Sequence, residues 1–497
     1  MNPGEARSVI NTVLTILALV ALRLAAAAFT PITFDEAYYW MWSKHLAGGY
    51  YDHPPMVALV IRLGTLIAGD TELGVRLVSI LLALPMSWAV YEATSVLFGG
   101  RRVAATATIL LNVTLMAAVG TMIVTPDAPL LVASSFVLLA LAKVLQTGRG
   151  AWWLAVGVAA GCALLSKYTA LFFGPAILIW LIAVPKLRHW LISPWLYLGG
   201  LVAVLMFAPV IWWNADHHWV SFIKQIGRAR IEDFRPVFIA ELIPTQVVFA
   251  TPAVWLLGAM GLYALHQRLA GALAARVLVN TMFWTIVAYF AWHSLHARVE
   301  ANWFAPVYPA FAIAAAVAAH LVQWAPREQR VVGFCLRWAA PGGIVMFALL
   351  VVQANTGVLS GYRRDATVRS VGVGWRETAG EIEAVRARVG ATCVLAPDYG
   401  TTAWLAFYLP KGTCVAQQNQ RIRWVNMPEP SAAQLAGKLL YVRDVDQASL
   451  KQAFARVDKV ADVPRKRGPL LIETYALDVM ERPTDEVFDR SPPPELK

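Results

Sequence analysis

Asp35 and Glu36, in Thr33-Phe34-Asp35-Glu36-Ala37-Tyr38-Tyr39-Trp40, and Asp52 and His53, in Tyr50-Tyr51-Asp52-His53-Pro54-Pro55-Met56, put three carboxylates and an imidazole into one short stretch of the 497-residue chain. Such groups suit proton transfer. Thr33 and Glu36 have capping-box spacing, in which the Thr hydroxyl accepts the Glu36 amide and the Glu carboxylate accepts the Thr33 amide. That gives Glu36 a structural job. Asp35 then stands at the second helical position, near the positive helix terminus, where its carboxylate stays ionised and suits a general base. The bland alternative is that Asp35 only complements the helix dipole. Asp52 precedes two prolines, a residue favoured in a first helical turn. It either caps that helix, with His53 as an interfacial residue, or both meet a substrate.

Further candidates are scattered along the chain. Lys167, in Ser166-Lys167-Tyr168, and Arg298, in the run from His293 to Trp303, are cations able to steady a departing anion. For Lys167 the alternative is snorkelling to the interface. Asn214-Ala215-Asp216-His217-His218-Trp219, close to Lys224, Arg228 and Arg230, could give a metal ligand or sugar contacts. Asp127, in Thr125-Pro126-Asp127, is either a helix N-cap or a substrate contact.

The elements that carry these residues are membrane helices. Hydrophobic residues make up 58% of the chain and charged residues only 15%, well beyond a soluble domain. About eleven apolar runs of roughly bilayer length are centred near Ala18, Pro85, Leu111, Ala133, Gly157, Pro175, Val204, Leu256, Ile286, Ala314 and Met346. Residues 57–68 are too short to span and read as an interfacial helix. Arg7 precedes the first run, which lacks a clear cleavage site and reads as a retained span. With the amino terminus cytoplasmic, the inner loops hold Arg101 and Arg102, Lys143 and Arg149, Lys186 and Arg188, Arg268 and Arg276, and Arg327 and Arg330. The candidate residues then all face outward. Lys167, Lys224, Arg228, Arg230 and Arg298 break the charge rule there, a sign of anion binding. The net charge of +11 does not mark a nucleic-acid binder, because the basic residues are dispersed and no base-reading module is present.

Residues 1–353 are therefore expected to form a membrane domain, and 354–497 a small soluble α/β domain. In the latter, 374–389 reads as a helix and 392–396, 413–416, 439–442 and 470–475 as strands, with a disordered end from 482. Cys393 and Cys414 begin two of these strands. They are either bridged, which an oxidising compartment would permit, or buried as free thiols. Cys162 and Cys335 read as packing residues.

The two motifs of the first outer loop resemble those of the aminoarabinose and galacturonic acid transferases, within the protein-mannosyltransferase-like superfamily that has the C-type membrane glycosyltransferase fold. Asp52-His53-Pro54-Pro55 is closer to the galacturonosyl version, the aminoarabinose enzymes having Glu-Lys-Pro. The resemblance implies inverting transfer from an undecaprenyl- or dodecaprenyl-phosphate sugar to lipid A or lipopolysaccharide core at the periplasmic face of the bacterial inner membrane. It implies Asp35 as the base, Asp52 as a carboxylate at the metal or acceptor site, and His53 in the place of a lysine that contacts the lipid phosphate. The family's metal-binding histidine lies in the loop of His217 and His218, and its basic loop before the tenth span matches that of Arg298.

The expected catalytic residue is thus Asp35, and the expected substrate-binding set is Glu36, Tyr51, His53, Asp127, Lys167 and Arg298. Asp52, His217 and His218 are the candidates for a divalent metal (Mg, Mn or Zn), with no organic cofactor. Expected partners are a polyprenyl-phosphate sugar, a glycolipid acceptor and membrane lipids, with the chain a monomer. The rival readings are a protein O-mannosyltransferase-like enzyme and a flippase of polyprenyl-linked sugars. Against the flippase, the unusual residues gather in outer loops, whereas transporters place their sites at the midplane between repeats.

Overall fold

The computed structural model describes residues 3–228, 233–358, 365–450, 453–484 and 486–491. Apolar sequence in lipid must satisfy its backbone internally, and this chain does so with helices. Among the described residues seven helices are long and apolar enough to cross a membrane: Arg7–Phe29, Glu72–Phe98, Asp127–Thr147, Pro194–Asp216, Leu273–His293, Ala301–His320 and Pro326–Thr356. Two bent pairs, Arg101–Val113 with Leu115–Met122 and Val237–Ala250 with Pro252–Gln267, bring the number to nine if each pair is one span. The centres expected at Gly157 and Pro175 lie in apolar but shorter segments, Trp152–Ser166 and Tyr168–Ala183. All eleven centres thus lie on apolar helical segments.

The bends have local causes. At the first, of 57°, Thr114 ends one helix and caps the next, its hydroxyl accepting the Ala117 amide at 3.1 Å. At the second, of 105°, Thr251 takes a left-handed φ of 65° just before Pro252. Helices without a hydrophobic driving force between them pack through small residues. A Cβ added at Gly261 would stand 1.9 Å from the Ala314 carbonyl oxygen, so only glycine lets those two helices touch.

The C-terminal part holds one five-stranded sheet: β1 (Ala391–Ala396), β2 (Cys414–Gln417), β3 (Lys438–Asp444), β4 (Phe454–Arg467) and β5 (Leu470–Pro483), in the order β2-β1-β3-β5-β4. β1 runs parallel to β2 and β3, whereas β5 is antiparallel to β3 and β4. The expected helix is present as Trp375–Val389. Cys393 and Cys414 are register partners and form a disulfide, with Cα atoms 4.6 Å apart. Two features differ from expectation. β4 was not anticipated, because Arg456, Asp458, Lys459, Asp462, Arg465, Lys466 and Arg467 hide its alternation; such charges suit the edge strand it is. The described part of the end is ordered, not loose: β5 continues to Pro483, and Val487 and Phe488 are buried in the small core.

This sheet domain does not stand apart. Trp375, Trp404, Trp424 and Val442 share one buried cluster with Tyr38, Tyr39, Trp42 and Tyr50 of the first outer loop. The Ile32 carbonyl accepts the Gly372 amide at 2.8 Å and the Trp404 indole at 3.1 Å, and Arg376 pairs with Glu72 at 2.6 Å.

Candidate active site

The chain turns into the helix Phe34–Lys44 through the expected capping box, with the Glu36 amide 3.1 Å from the Thr33 hydroxyl and the Thr33 amide 2.9 Å from the Glu36 carboxylate. Glu36 is otherwise placed than a substrate contact would be. It is fully buried, its two oxygens taken by Arg76 at 2.7 and 2.6 Å and by the Val124 amide at 3.0 Å, so the capping box is bolted to the neighbouring helices. Asp35, one residue earlier on the same helix, lines a cavity of about 810 Å³.

That cavity gathers Asp35, Asp52, His53, Asp127, Lys167 and Arg298. Tyr399 of the sheet domain donates its hydroxyl to Asp35 Oδ1 at 3.1 Å. Burial pushes the Asp35 carboxyl up to about 6, against the Tyr399 hydrogen bond and the Arg423 charge, which favour the ionised form. A carboxylate poised there is ionised at neutral pH yet basic enough to take a proton.

Asp52 is saturated. Arg423 Nη1 lies 2.8 Å from both its oxygens, the Tyr38 hydroxyl is 2.9 Å from Oδ2, Lys224 pairs with Oδ1, and Gln225 donates to its main-chain oxygen at 3.0 Å. Burial alone would raise its pKa, but Arg423 and then Lys224 outweigh burial and hold it well below the ordinary carboxylate range. Tyr51 lies beneath this cluster rather than on the cavity, with the Lys224 ammonium 4.1 Å and the Arg423 guanidinium 5.2 Å from its ring centre.

The metal candidates do not assemble. His217 Nδ1 lies 2.8 Å from the Trp213 carbonyl oxygen and its ring stacks on Trp213, while His218 sits exposed in the turn with φ of 55°. Two cations already occupy Asp52, so a divalent ion there would meet like charge. Among the described residues no three His, Cys, Asp or Glu side chains come together as a ligand group. What this loop brings to the site is Lys224, while the Arg228 side chain and all of Arg230 lie outside the described residues.

At the other side of the cavity Lys167 holds the Asp127 carboxylate at 2.7 and 2.9 Å, and Asn302 donates to the same carboxylate at 2.6 Å. Asp127 is therefore no N-cap: it is the first residue of its helix, with Pro126 before it and no side-chain cap bond. Lys167 is buried and paired rather than snorkelling. Arg298 is 69% exposed, its nearest carboxylate Glu241 at 3.4 Å. His53 lines the cavity beside Tyr39.

Lys224, Tyr399 and Arg423 are site residues that sequence reasoning did not select. Lys224 had a signal, as a cation in an outer loop. Tyr399 and Arg423 had none, since they reach the site only through docking of the sheet domain.

Comparison with known proteins bears on the fold. A family model described as dolichyl-phosphate-mannose-protein mannosyltransferase matches residues 52–213, which include Asp52, Asp127 and Lys167 but neither Asp35 nor Arg298. Lipid A galacturonosyltransferase RgtD of Rhizobium johnstonii is 28% identical over 207 residues, covering 41% of this chain and 43% of that relative. ArnT of Cupriavidus metallidurans matches with a TM-score of 0.65 both in the apo state and bound to undecaprenyl phosphate, at 15% and 17% identity, over 94% of this chain and 97% of ArnT. Archaeal oligosaccharyltransferase AglB of Archaeoglobus fulgidus matches with a TM-score of 0.51 at 12% identity, over 89% of this chain and 70% of AglB. The chain accordingly has the C-type membrane glycosyltransferase fold of ArnT, with a polytopic helical part and a small C-terminal sheet domain.

Proposed function

We propose that this chain is a membrane glycosyltransferase that moves a sugar from a polyprenyl-phosphate donor, with inversion, onto a glycolipid acceptor of the lipid A or lipopolysaccharide-core type. The observation that carries this is Asp35: a carboxylate with a raised pKa of about 6, on the wall of a polar cavity that also holds Arg298 and the Lys167–Asp127 pair. Asp35 takes the proton of an acceptor hydroxyl as its oxygen bonds to the anomeric carbon. The anomeric carbon–oxygen bond to phosphate breaks, and its electron pair leaves with the polyprenyl phosphate. Arg298, little paired and exposed to the cavity, meets the charge that grows on that phosphate. Every step uses the chain's own side chains.

The named relatives support the substrate classes, one acting on lipid A and one bound to undecaprenyl phosphate. They make galacturonic acid the first sugar to test. The disulfide suits an oxidising compartment, which supports a periplasm-facing site in a bacterial inner membrane. We take the working unit to be a monomer. Mass spectrometry of envelope glycolipids from cells with and without the chain should show one lost sugar increment on lipid A or core. An unchanged glycolipid profile would turn the assignment toward a protein acceptor or a flippase.

A further inference from the structure

Asp35 and its hydrogen-bond partner each stand in the first turn of a helix. Asp35 is the second residue of Phe34–Lys44, and Tyr399, whose hydroxyl reaches it, is the first residue of Tyr399–Tyr408 in the sheet domain. The N-terminus of its own helix favours negative charge at Asp35.

Tyr399 is held with little freedom. Asp398 caps its helix, accepting the Thr401 amide at 2.8 Å. Gly400 lets the helix close on Phe34, since an added Cβ would stand 3.2 Å from the Phe34 Cβ. The Tyr399 ring packs edge-on against Phe34 at 5.7 Å and tilted against Tyr38 at 5.1 Å, and the Arg423 guanidinium covers it at 4.8 Å. Five residues further along the same helix, Trp404 grips the Ile32 carbonyl just before the capping box. A ring fixed on so many sides delivers its hydroxyl to one place.

We propose that the sheet domain is part of the catalytic apparatus, with Tyr399 the positioning residue that occupies Asp35 Oδ1 and so leaves Oδ2 to take the acceptor's proton. A carboxylate left to rotate would spend time in unproductive poses, and misplacement of this kind is costly in rate. Burial holds the phenol well above its ordinary pKa, so it stays a neutral donor. Its bond favours the ionised base. This inference rests on the reading of Asp35 as the base.

The test uses membrane vesicles carrying the full chain, their endogenous donor and acceptor, and mass spectrometry of the glycolipid product between pH 5 and 8.5 across Asp35→Asn, Tyr399→Phe and a chain with 3-fluorotyrosine at 399. Phenylalanine keeps the ring packing and removes only the donor. Its acid limb should move up by about one pH unit, which alone costs about fivefold at pH 6 and little at pH 8. Fluorotyrosine is nearly isosteric and a stronger donor, so it should move the limb down, a change no folding defect produces. If Asp35→Asn retains wild-type turnover, the base reading falls and this inference with it. If Asp35→Asn is inactive while both Tyr399 changes leave the acid limb at its wild-type position, the positioning role alone is overturned.

Discussion

Arg423, on the short turn Arg421–Trp424 of the sheet domain, places Nη1 2.8 Å from both carboxylate oxygens of Asp52 in the first outer loop, 371 residues earlier in the chain. With Lys224 on the same carboxylate, one negative charge stands against two positive ones. Removing Arg423 would leave Asp52 buried with half its support, and truncation of a buried hydrogen-bonded charge pair costs about 3–5 kcal/mol. Arg423→Ala is expected to lower the thermal midpoint of the purified chain markedly, and Arg423→Lys much less. Equal midpoints for Arg423→Ala and wild type would show that the docked geometry carries no weight. The same charge balance predicts that incubation with a chelator leaves transfer unchanged, and a chelator-sensitive, Mg-restored activity would contradict it.

The pH dependence follows from Asp35. Its carboxyl is held up at about 6, and a general base works only when deprotonated, so activity should rise through pH 6 and level off above 7. Asp35→Asn cannot accept the proton and should lose about a hundred- to ten-thousand-fold in rate while keeping its place in the membrane. A rate that peaks at pH 5, or near-normal turnover of Asp35→Asn, would remove Asp35 as the base.

Much of this arrangement could be read from local sequence. The capping box, the apolar helical segments and the parallel neighbours Cys393 and Cys414 depend on residues close together or on simple periodicity. Tyr399 and Arg423 depend on docking between segments more than 350 residues apart, which leaves no local pattern. Asp127 stays open between an N-cap and a substrate contact in the sequence because Thr125-Pro126-Asp127 has the look of a helix start, and only the fold shows Lys167 and Asn302 converging on it. Glu36 was half legible: its cap was visible, but the arginine that seals it lies 40 residues away.

Glu36 and Arg76 provide a control for the catalytic variants. Arg76 is fully buried, and besides Glu36 it donates to the Ala27 and Pro31 carbonyls at 3.2 and 3.1 Å. Arg76→Ala leaves the Glu36 charge buried without its partner, which costs about 3–5 kcal/mol. It should therefore reduce the yield of folded protein, where Asp35→Asn does not. A well-folded Arg76→Ala protein with selectively lost transfer would instead move Glu36 and Arg76 into the chemistry.

Arg298 is exposed at the cavity and only loosely paired with Glu241, so it adds little to folding. Its value should appear with the donor bound. Arg298→Ala is expected to raise the donor KM by about tenfold, with Arg298→Lys recovering part of the loss. Unchanged donor dependence would take Arg298 out of the site.

The disulfide should reach the site through β2. Among the described residues that four-residue strand pairs only with β1, and the Cys393–Cys414 bridge fastens it there. Gln417, at the end of β2, takes the Trp424 indole on its side chain at 2.8 Å and an Arg421 hydrogen bond on its carbonyl at 2.9 Å, so β2 carries the turn that bears Arg423. A bridge over a sequence separation of 21 is worth about 3 kcal/mol in the chain-entropy account. Replacing both cysteines by alanine should therefore lower the thermal midpoint of the full chain. It should also weaken transfer more than a substitution in the distant strand β4, because the loosened turn releases Asp52. A double variant that melts earlier yet transfers at the wild-type rate would separate the bridge from the site, leaving it a staple of the sheet alone.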